Sequence, residues 1–160
     1  MPIRIMNTLQ PIVSLPDQGP MLSAYGVNIY FKAKTAQTNG LWSMIEYHLP
    51  PSLISPPPHY HKKMQEVFYV LEGALQFTLD RHIIDAPKGT LVVVPPMAVH
   101  TFNNALDSEA KFLIWFSPGG FEQYFLDMEE LVQNEPSWPP SDMGKMFALM
   151  AKHDTFTPEQ

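Results

Sequence analysis

The chain has 160 residues, 45% apolar and 16% charged, enough for one domain with a closed hydrophobic core rather than a disordered tail. Its formal net charge is −6 and no basic run exceeds Lys62-Lys63, which leaves none of the positive footprint that nucleic acid or an anionic membrane surface requires. With no cysteine, disulfides, thiolate zinc sites, iron–sulfur clusters and a cysteine nucleophile are all excluded.

Residues 1–7 lack the apolar stretch of a signal peptide, and no apolar run reaches the length that spans a bilayer. Together with the missing cysteines this reads as a soluble protein of the cytoplasm. The segment before residue 21 is rich in proline and polar residues and is expected to run over the surface or along a sheet edge. From there to residue 116 the chain reads as short strands, at 27–32, 41–49, 66–71, 74–79, 91–94, 99–103 and 111–116. These runs are rich in Val, Ile, Phe, Tyr and Trp and are interrupted by Gly, Pro, Asn or Asp. The 17 prolines cluster, as at Pro56-Pro57-Pro58 and Pro95-Pro96, and proline cannot donate to a sheet ladder, so the clusters mark strand ends. Closely spaced strands with no helical pattern between them predict an all-β antiparallel sandwich or barrel.

The period then changes. Phe121, Tyr124, Phe125, Met128 and Val132 fall on one face of an amphipathic helix, with Ser117 as its N-cap and Pro118 at its first position. A second helix carries Met143, Met146, Phe147 and Met150, opened by Ser141 and closed near Lys152 and His153. Both stripes are read as contacts against the barrel, because periodic apolar stripes are the ordinary mark of packing.

The chemistry sits in the run from Pro58 to Glu66. Alternate side chains of a strand share a face, so His59 and His61 point the same way. Glu66 opens the next strand, and a short turn between the two can return its carboxylate to the imidazoles. Two imidazoles and a carboxylate suit a borderline divalent metal. His100 lies much further on, just after a proline-rich turn. Spacing alone leaves ligation and a pair of satisfied imidazoles both open. His48 and His82 have no partner at ligand spacing, and His82 beside the Asp80-Arg81 turn is expected in solvent. His153 is expected at the end of the last helix, where positive charge suits the dipole.

The segment from His59 to Gly73 resembles the first cupin motif, His-x-His-x4-Glu-x6-Gly, at every position from the first histidine. The glycine expected upstream is missing, and Leu53-Ile54-Ser55-Pro56-Pro57-Pro58 stands there. Gly89, Pro95, His100 and Asn104 resemble the second motif, with Met97 where that motif has glycine; Met is expected to resist a positive φ at this turn. Residues 74–88 separate the motifs, the short spacing of many bacterial single-domain cupins. The resemblance implies an all-β cupin double-stranded β-helix, a jelly-roll barrel over about residues 21–117. A 1–20 extension precedes it and C-terminal helices follow at about 118–152, in one domain.

It further implies that His59, His61, Glu66 and His100 hold one divalent transition metal: iron, nickel, manganese, copper, cobalt or zinc. Strand parity puts Phe68, Val70 and Phe102 on the same faces as the ligands, with Asn104 next in line. Lys62 and Lys63 are expected in solvent, so the walls favour a hydrophobic or aromatic ligand over a phosphorylated one. The run Pro118-Gly119-Gly120-Phe121-Glu122-Gln123-Tyr124-Phe125 is similar to the helix following the barrel in bacterial cupins resembling quercetin 2,3-dioxygenases. That likeness implies a metal-dependent dioxygenase acting on an aromatic or enol-type molecule, with Glu66 as proton acceptor and Phe121 and Phe125 beside Phe68 and Phe102 at the substrate. A non-enzymatic metal-dependent binding protein and a metal-dependent isomerase are the alternatives, the isomerase disfavoured because no Arg, Lys or Tyr clusters near the motifs. A homodimer is the usual state of the family.

Overall fold

The computed structural model describes residues 9–24, 26–51, 56–137 and 139–158. Residues 1–7, read above for a leader, and Leu53, Ile54 and Ser55, where the upstream glycine is missing, lie outside these. Among the described residues the strands are β1 (Met21–Ala24), β2 (Val27–Ala33), β3 (Ser43–Leu49), β4 (Tyr60–His61), β5 (Gln65–Glu72), β6 (Ala74–Leu79), β7 (His82–Pro87), β8 (Leu91–Val94), β9 (His100–Asn103), β10 (Ala110–Ser117) and β11 (Thr155–Phe156). Two α-helices, α1 (Glu122–Asn134) and α2 (Met143–Lys152), stand between β10 and β11.

One sheet has six strands in the order β1-β2-β3-β10-β5-β8, every neighbouring pair antiparallel. Facing it, β7-β6-β9 form a second sheet. A bridge between His59 and His100 carries this sheet on toward β4 and β11, which pair with each other. This is the jelly-roll barrel expected from the resemblance, with two helices packed after it.

Alternation builds the core. In β2, β5 and β10 every second residue is buried, and the inward positions supply Phe31, Phe68, Val70, Phe112, Ile114 and Phe116. Phe68, Phe77, Phe102 and Phe112 meet at ring-centroid distances of 5.1 to 6.4 Å in tilted and edge-to-face arrangements, the geometry that ring quadrupoles favour. Gly73 makes the tight β5–β6 connection at φ +72°, where a Cβ would lie 3.2 Å from the Cα of Ala110.

The departures from expectation have local causes. β3 begins at Ser43 rather than residue 41, because the backbone N–H groups of Leu41 and Trp42 are taken by the carbonyl and hydroxyl of Thr38 in the preceding 3-10 turn. β7 went unpredicted because it is a sheet edge that buries only Ala86, which leaves no apolar alternation. β1, β4 and β11 are too short to show a period.

Helix α1 does not start at Ser117-Pro118. Ser117 still pairs with Gln65 at the end of β10, and its hydroxyl donates to the carbonyl of Leu41 at 3.1 Å. The helix opens at Glu122, whose carboxylate accepts from the Thr35 amide and hydroxyl, both at 2.7 Å, and ties the helix start to the loop after β2. Helix α2 is capped by Asp142, not Ser141: its carboxylate accepts from the Gly144 amide at 2.9 Å. No helix among the described residues is long and apolar enough to cross a membrane.

Candidate metal centre

His59, His61, Glu66 and His100 are all buried, and one ligand atom from each lies within 4.8 Å of the others. Four short elements bring them together. The reciprocal bridge between His59 and His100, with amide–carbonyl distances of 3.0 and 2.8 Å, joins the approach to β4 with the start of β9. β4 carries His61, residues 62–64 turn, and Glu66 enters on the inward face of β5.

The orientation of His100 is set by the turn from Pro95 to Ala98, closed by the Ala98 amide on the Pro95 carbonyl. Met97 adopts φ +71° there, contrary to the expectation that it would resist the left-handed region. Its amide donates to the carbonyl of His61 at 2.7 Å and its side chain is 60% exposed, so backbone strain is offset by a bond between the two motifs and no packing opposes it.

Each imidazole has one nitrogen committed. Nδ1 faces a main-chain carbonyl in all three: Pro57 at 2.9 Å for His59, Asp154 at 2.9 Å for His61 and Ala98 at 3.1 Å for His100. A carbonyl only accepts, so Nδ1 carries the proton and Nε2 is free to bind a cation. Outward bonds of this kind are how metal-binding imidazoles are oriented.

The inward side is unsatisfied. Nε2 of His100 stands 2.7 Å from Oε2 of Glu66, and Nε2 of His61 stands 3.2 Å from the same oxygen. His61 Nε2 is buried with no hydrogen-bond partner. Lone pairs and a carboxylate packed this closely need positive charge between them, as a proton or a metal ion. Burial pushes the Glu66 carboxyl up, but the adjacent His100 and His61 imidazoles hold it below the usual carboxylate range. Burial also opposes charge on His61, where the neighbouring Glu66 carboxylate wins and raises it. Burial, then the neighbouring His100, push His59 down to about 4. Three nitrogens and an oxygen, preoriented and short of a cation, fit a divalent transition metal.

Aromatic rings surround the group. Phe121 presents its edge to His61 at 5.5 Å, and Phe68 stands edge-on to His100 at 6.3 Å. Phe102 and Phe125 lie one ring further away, Phe102 against Phe68 and Phe125 against Phe121. Asn104 points its amide to the carbonyls of Leu49 and Ser108, closing its own loop. Lys62 and Lys63 are exposed, as is His82, while His153 caps α2 and meets Asp127 at 2.8 Å. His48 is buried on the other face of β3, against Glu46 at 2.8 Å.

Two tyrosines belong to this picture, and the sequence reading gives neither a place at the site. Tyr47 lies on the inward side of β3, between Phe112 at 5.1 Å and Phe125 at 6.4 Å, and Tyr124 stacks on Phe121 at 4.8 Å. Burial raises the Tyr47 phenol, with the nearby Tyr124 adding to it; burial and then the Glu66 charge raise Tyr124. The expectation that no tyrosine clusters near the motifs is therefore corrected. The signal was present in the two-residue period Ile45, Tyr47, Leu49 and in the helical stripe holding Tyr124. Asp154 was missed altogether, since nothing in the sequence links it to His61.

Residues 45–116 match the family model of the cupin domain. An uncharacterized protein of Methanocaldococcus jannaschii is 33% identical over 55 residues, 34% of this chain; the chain spans 44% of that curated relative's length. Among solved structures, KdgF from Halomonas sp. superposes with a TM-score of 0.60 at 18% identity, over 69% of this chain and 97% of that one. An RmlC-like cupin from Shewanella frigidimarina gives 0.58 at 19% identity, over 69% and 93%. The structural likenesses carry the fold, the family match covers residues 45–116, and neither reaches the narrower likeness to quercetinases.

Proposed function

We propose that this chain, whose residues 45–116 match the cupin domain, is a cupin and a metal-dependent dioxygenase for an aromatic or enol-type small molecule. The observation that carries the reading is the convergence of four buried donor atoms within 4.8 Å behind a wall of aromatic rings. His59, His61, Glu66 and His100 would hold the ion, which when bound supplies a Lewis acid and, for a redox-active metal, a partner for dioxygen. The chain's own residues do the rest. Phe121 and Phe125 offer apolar surface for a flat ligand, backed by the buried rings of Phe68 and Phe102, and the four keep bulk water from the donor group. Glu66 is the one carboxylate in that group and accepts a proton from an enol or phenol oxygen.

Oxygen uptake on adding a flavonol to metal-replete protein tests this, with loss expected in Glu66→Gln. No uptake across a panel of flavonols and enols would remove the dioxygenase reading. The phenols of Tyr47 and Tyr124, set among the rings of Phe112, Phe121 and Phe125, favour a second reading, a binding protein or isomerase for a polar ligand, seen as ligand-induced thermal stabilisation without oxygen consumption.

A homodimer fits the outer face of the six-stranded sheet. There Trp115, Val67 and Val93 line up across β10, β5 and β8, and Leu113, Tyr69 and Leu91 form the next row. Trp115, Tyr69, Leu91 and Val93 are exposed, an apolar surface that a second copy would cover. Sedimentation of the wild type against Tyr69→Lys tests it: a dimer is expected to become a monomer.

A further inference from the structure

The residue that fixes His61 comes from the far end of the chain. After α2 the backbone turns at Asp154, φ +55°, and lays β11 antiparallel on β4, Thr155 opposite His61 and Phe156 opposite Tyr60. The main-chain carbonyl of Asp154 accepts from Nδ1 of His61 at 2.9 Å. Its carboxylate accepts three successive amides: Lys62 at 3.2 Å on Oδ1, and Lys63 at 2.8 Å and Met64 at 3.1 Å on Oδ2. These are the amides of the turn between His61 and Glu66. A carboxylate receiving consecutive N–H groups is the counterpart of an anion-binding nest, and such charge-assisted bonds are strong.

Other contacts hold this segment against the barrel. Lys152 and His153 meet Asp127 of α1 at 2.6 and 2.8 Å. Phe156 packs on Tyr60 at 5.7 Å, and the ammonium of Lys62 lies 4.0 Å from the centre of its ring. Thr155 is buried, and its hydroxyl stands 3.4 Å from Nδ1 of His61. The residues that make these contacts from the C-terminal side, Asp127 and Lys152 to Phe156, lie outside residues 45–116, the part that matches the family model.

We propose that Asp154 is the positioning residue of the metal centre: it orients the ring of His61 through its carbonyl and fixes the His61–Glu66 turn through its carboxylate. The C-terminal segment, not the barrel alone, then sets metal affinity. The claim about affinity rests on the metal reading above; the claim about ring orientation does not.

Two variants act on the carboxylate that anchors this segment, and both leave the main-chain carbonyl in place. Asp154→Gly accepts the positive φ and keeps the main-chain carbonyl while removing the carboxylate. Asp154→Asn keeps the shape but places an N–H2 donor where an acceptor is needed. Val27→Ala, in the buried core of β2, serves as a control for general destabilisation. Cobalt(II) affinity, measured by chelator competition, is expected to fall roughly 10–100-fold in both Asp154 variants, the usual effect of removing an outer-shell partner. Val27→Ala is expected to lower the melting temperature and leave that affinity unchanged.

The second readout needs no metal. In the metal-free wild type the Nδ1 proton of His61, buried and bonded to the Asp154 carbonyl, is expected to exchange slowly with solvent, and in both variants, where the carboxylate no longer anchors that carbonyl, to exchange fast. Variants that bind cobalt as tightly as Val27→Ala would overturn the affinity claim, and unchanged exchange would overturn the claim that the Asp154 carboxylate holds its carbonyl on His61. Wild-type protein that binds no cobalt would overturn the metal reading, with the exchange result still deciding whether Asp154 orients the ring.

Discussion

Glu66 and Phe68 sit two residues apart on one face of β5, and His100 and Phe102 stand in the same relation on β9. The strands, the parity and the burial are shared, yet the two layers they build are chemically opposite. In the first, Phe68, Phe77, Phe102 and Phe112 satisfy one another through packing alone. In the second, His59, His61 and His100 satisfy their outward nitrogens with backbone carbonyls, and their inward nitrogens crowd together with the Glu66 carboxylate. The ring layer is complete as it stands. The donor layer is complete only with a cation, because buried polar atoms without partners are costly.

The largest effect should come from breaking the ring layer. Phe68→Ala removes a fully buried ring and is expected to cost about 3–5 kcal/mol of stability in chemical denaturation. The loss should be similar with and without metal, since the donors stay in place. A loss confined to the metal-bound protein would show that the two layers are not separable.

A smaller effect tests the C-terminal contacts that serve only the donor layer. Hydrogen bonds from Gln123, then Lys152 and His153, hold the Asp127 carboxyl well below its usual range. A carboxyl depressed on folding contributes stability above its unfolded pKa, about 3.9, and that contribution is lost as pH falls below about 4 toward the folded value. Asp127→Asn is expected to lose about 1 kcal/mol at neutral pH, the range of a screened surface pair, and to converge on the wild type in acid. Melting curves across pH would show it. A constant difference at all pH values would assign the effect to something other than charge.

The smallest is a gain. Met97 stands at φ +71° with its side chain in solvent, so Met97→Gly is expected to stabilise by about 0.5–1 kcal/mol, read from the denaturation midpoint. No gain would mean that contacts of the Met97 side chain offset the backbone cost.

The same contrast explains what was legible beforehand. Period-two alternation exposed the long strands, and the inward positions Phe68, Val70, Phe102 and Phe112 follow from it. The donor set was legible because His59, His61 and Glu66 are close in sequence and His100 follows a proline-rich turn. Edge strand β7 and the short β4 and β11 carried no period to read. The start of α1 was misplaced because Glu122 ties itself to Thr35, a contact between distant residues that composition does not reveal. Asp154 was invisible for the same reason: its bonds to residues 61–64 exist only once the chain has closed on itself.

The most direct test of the donor layer is metal content by mass spectrometry on untagged protein, wild type against the His59→Ala/His61→Ala double variant. The wild type is expected to carry close to one equivalent of a divalent transition metal, and the double variant to remain folded and carry none. A wild type without metal even after reconstitution, or a double variant that retains it, would contradict the account.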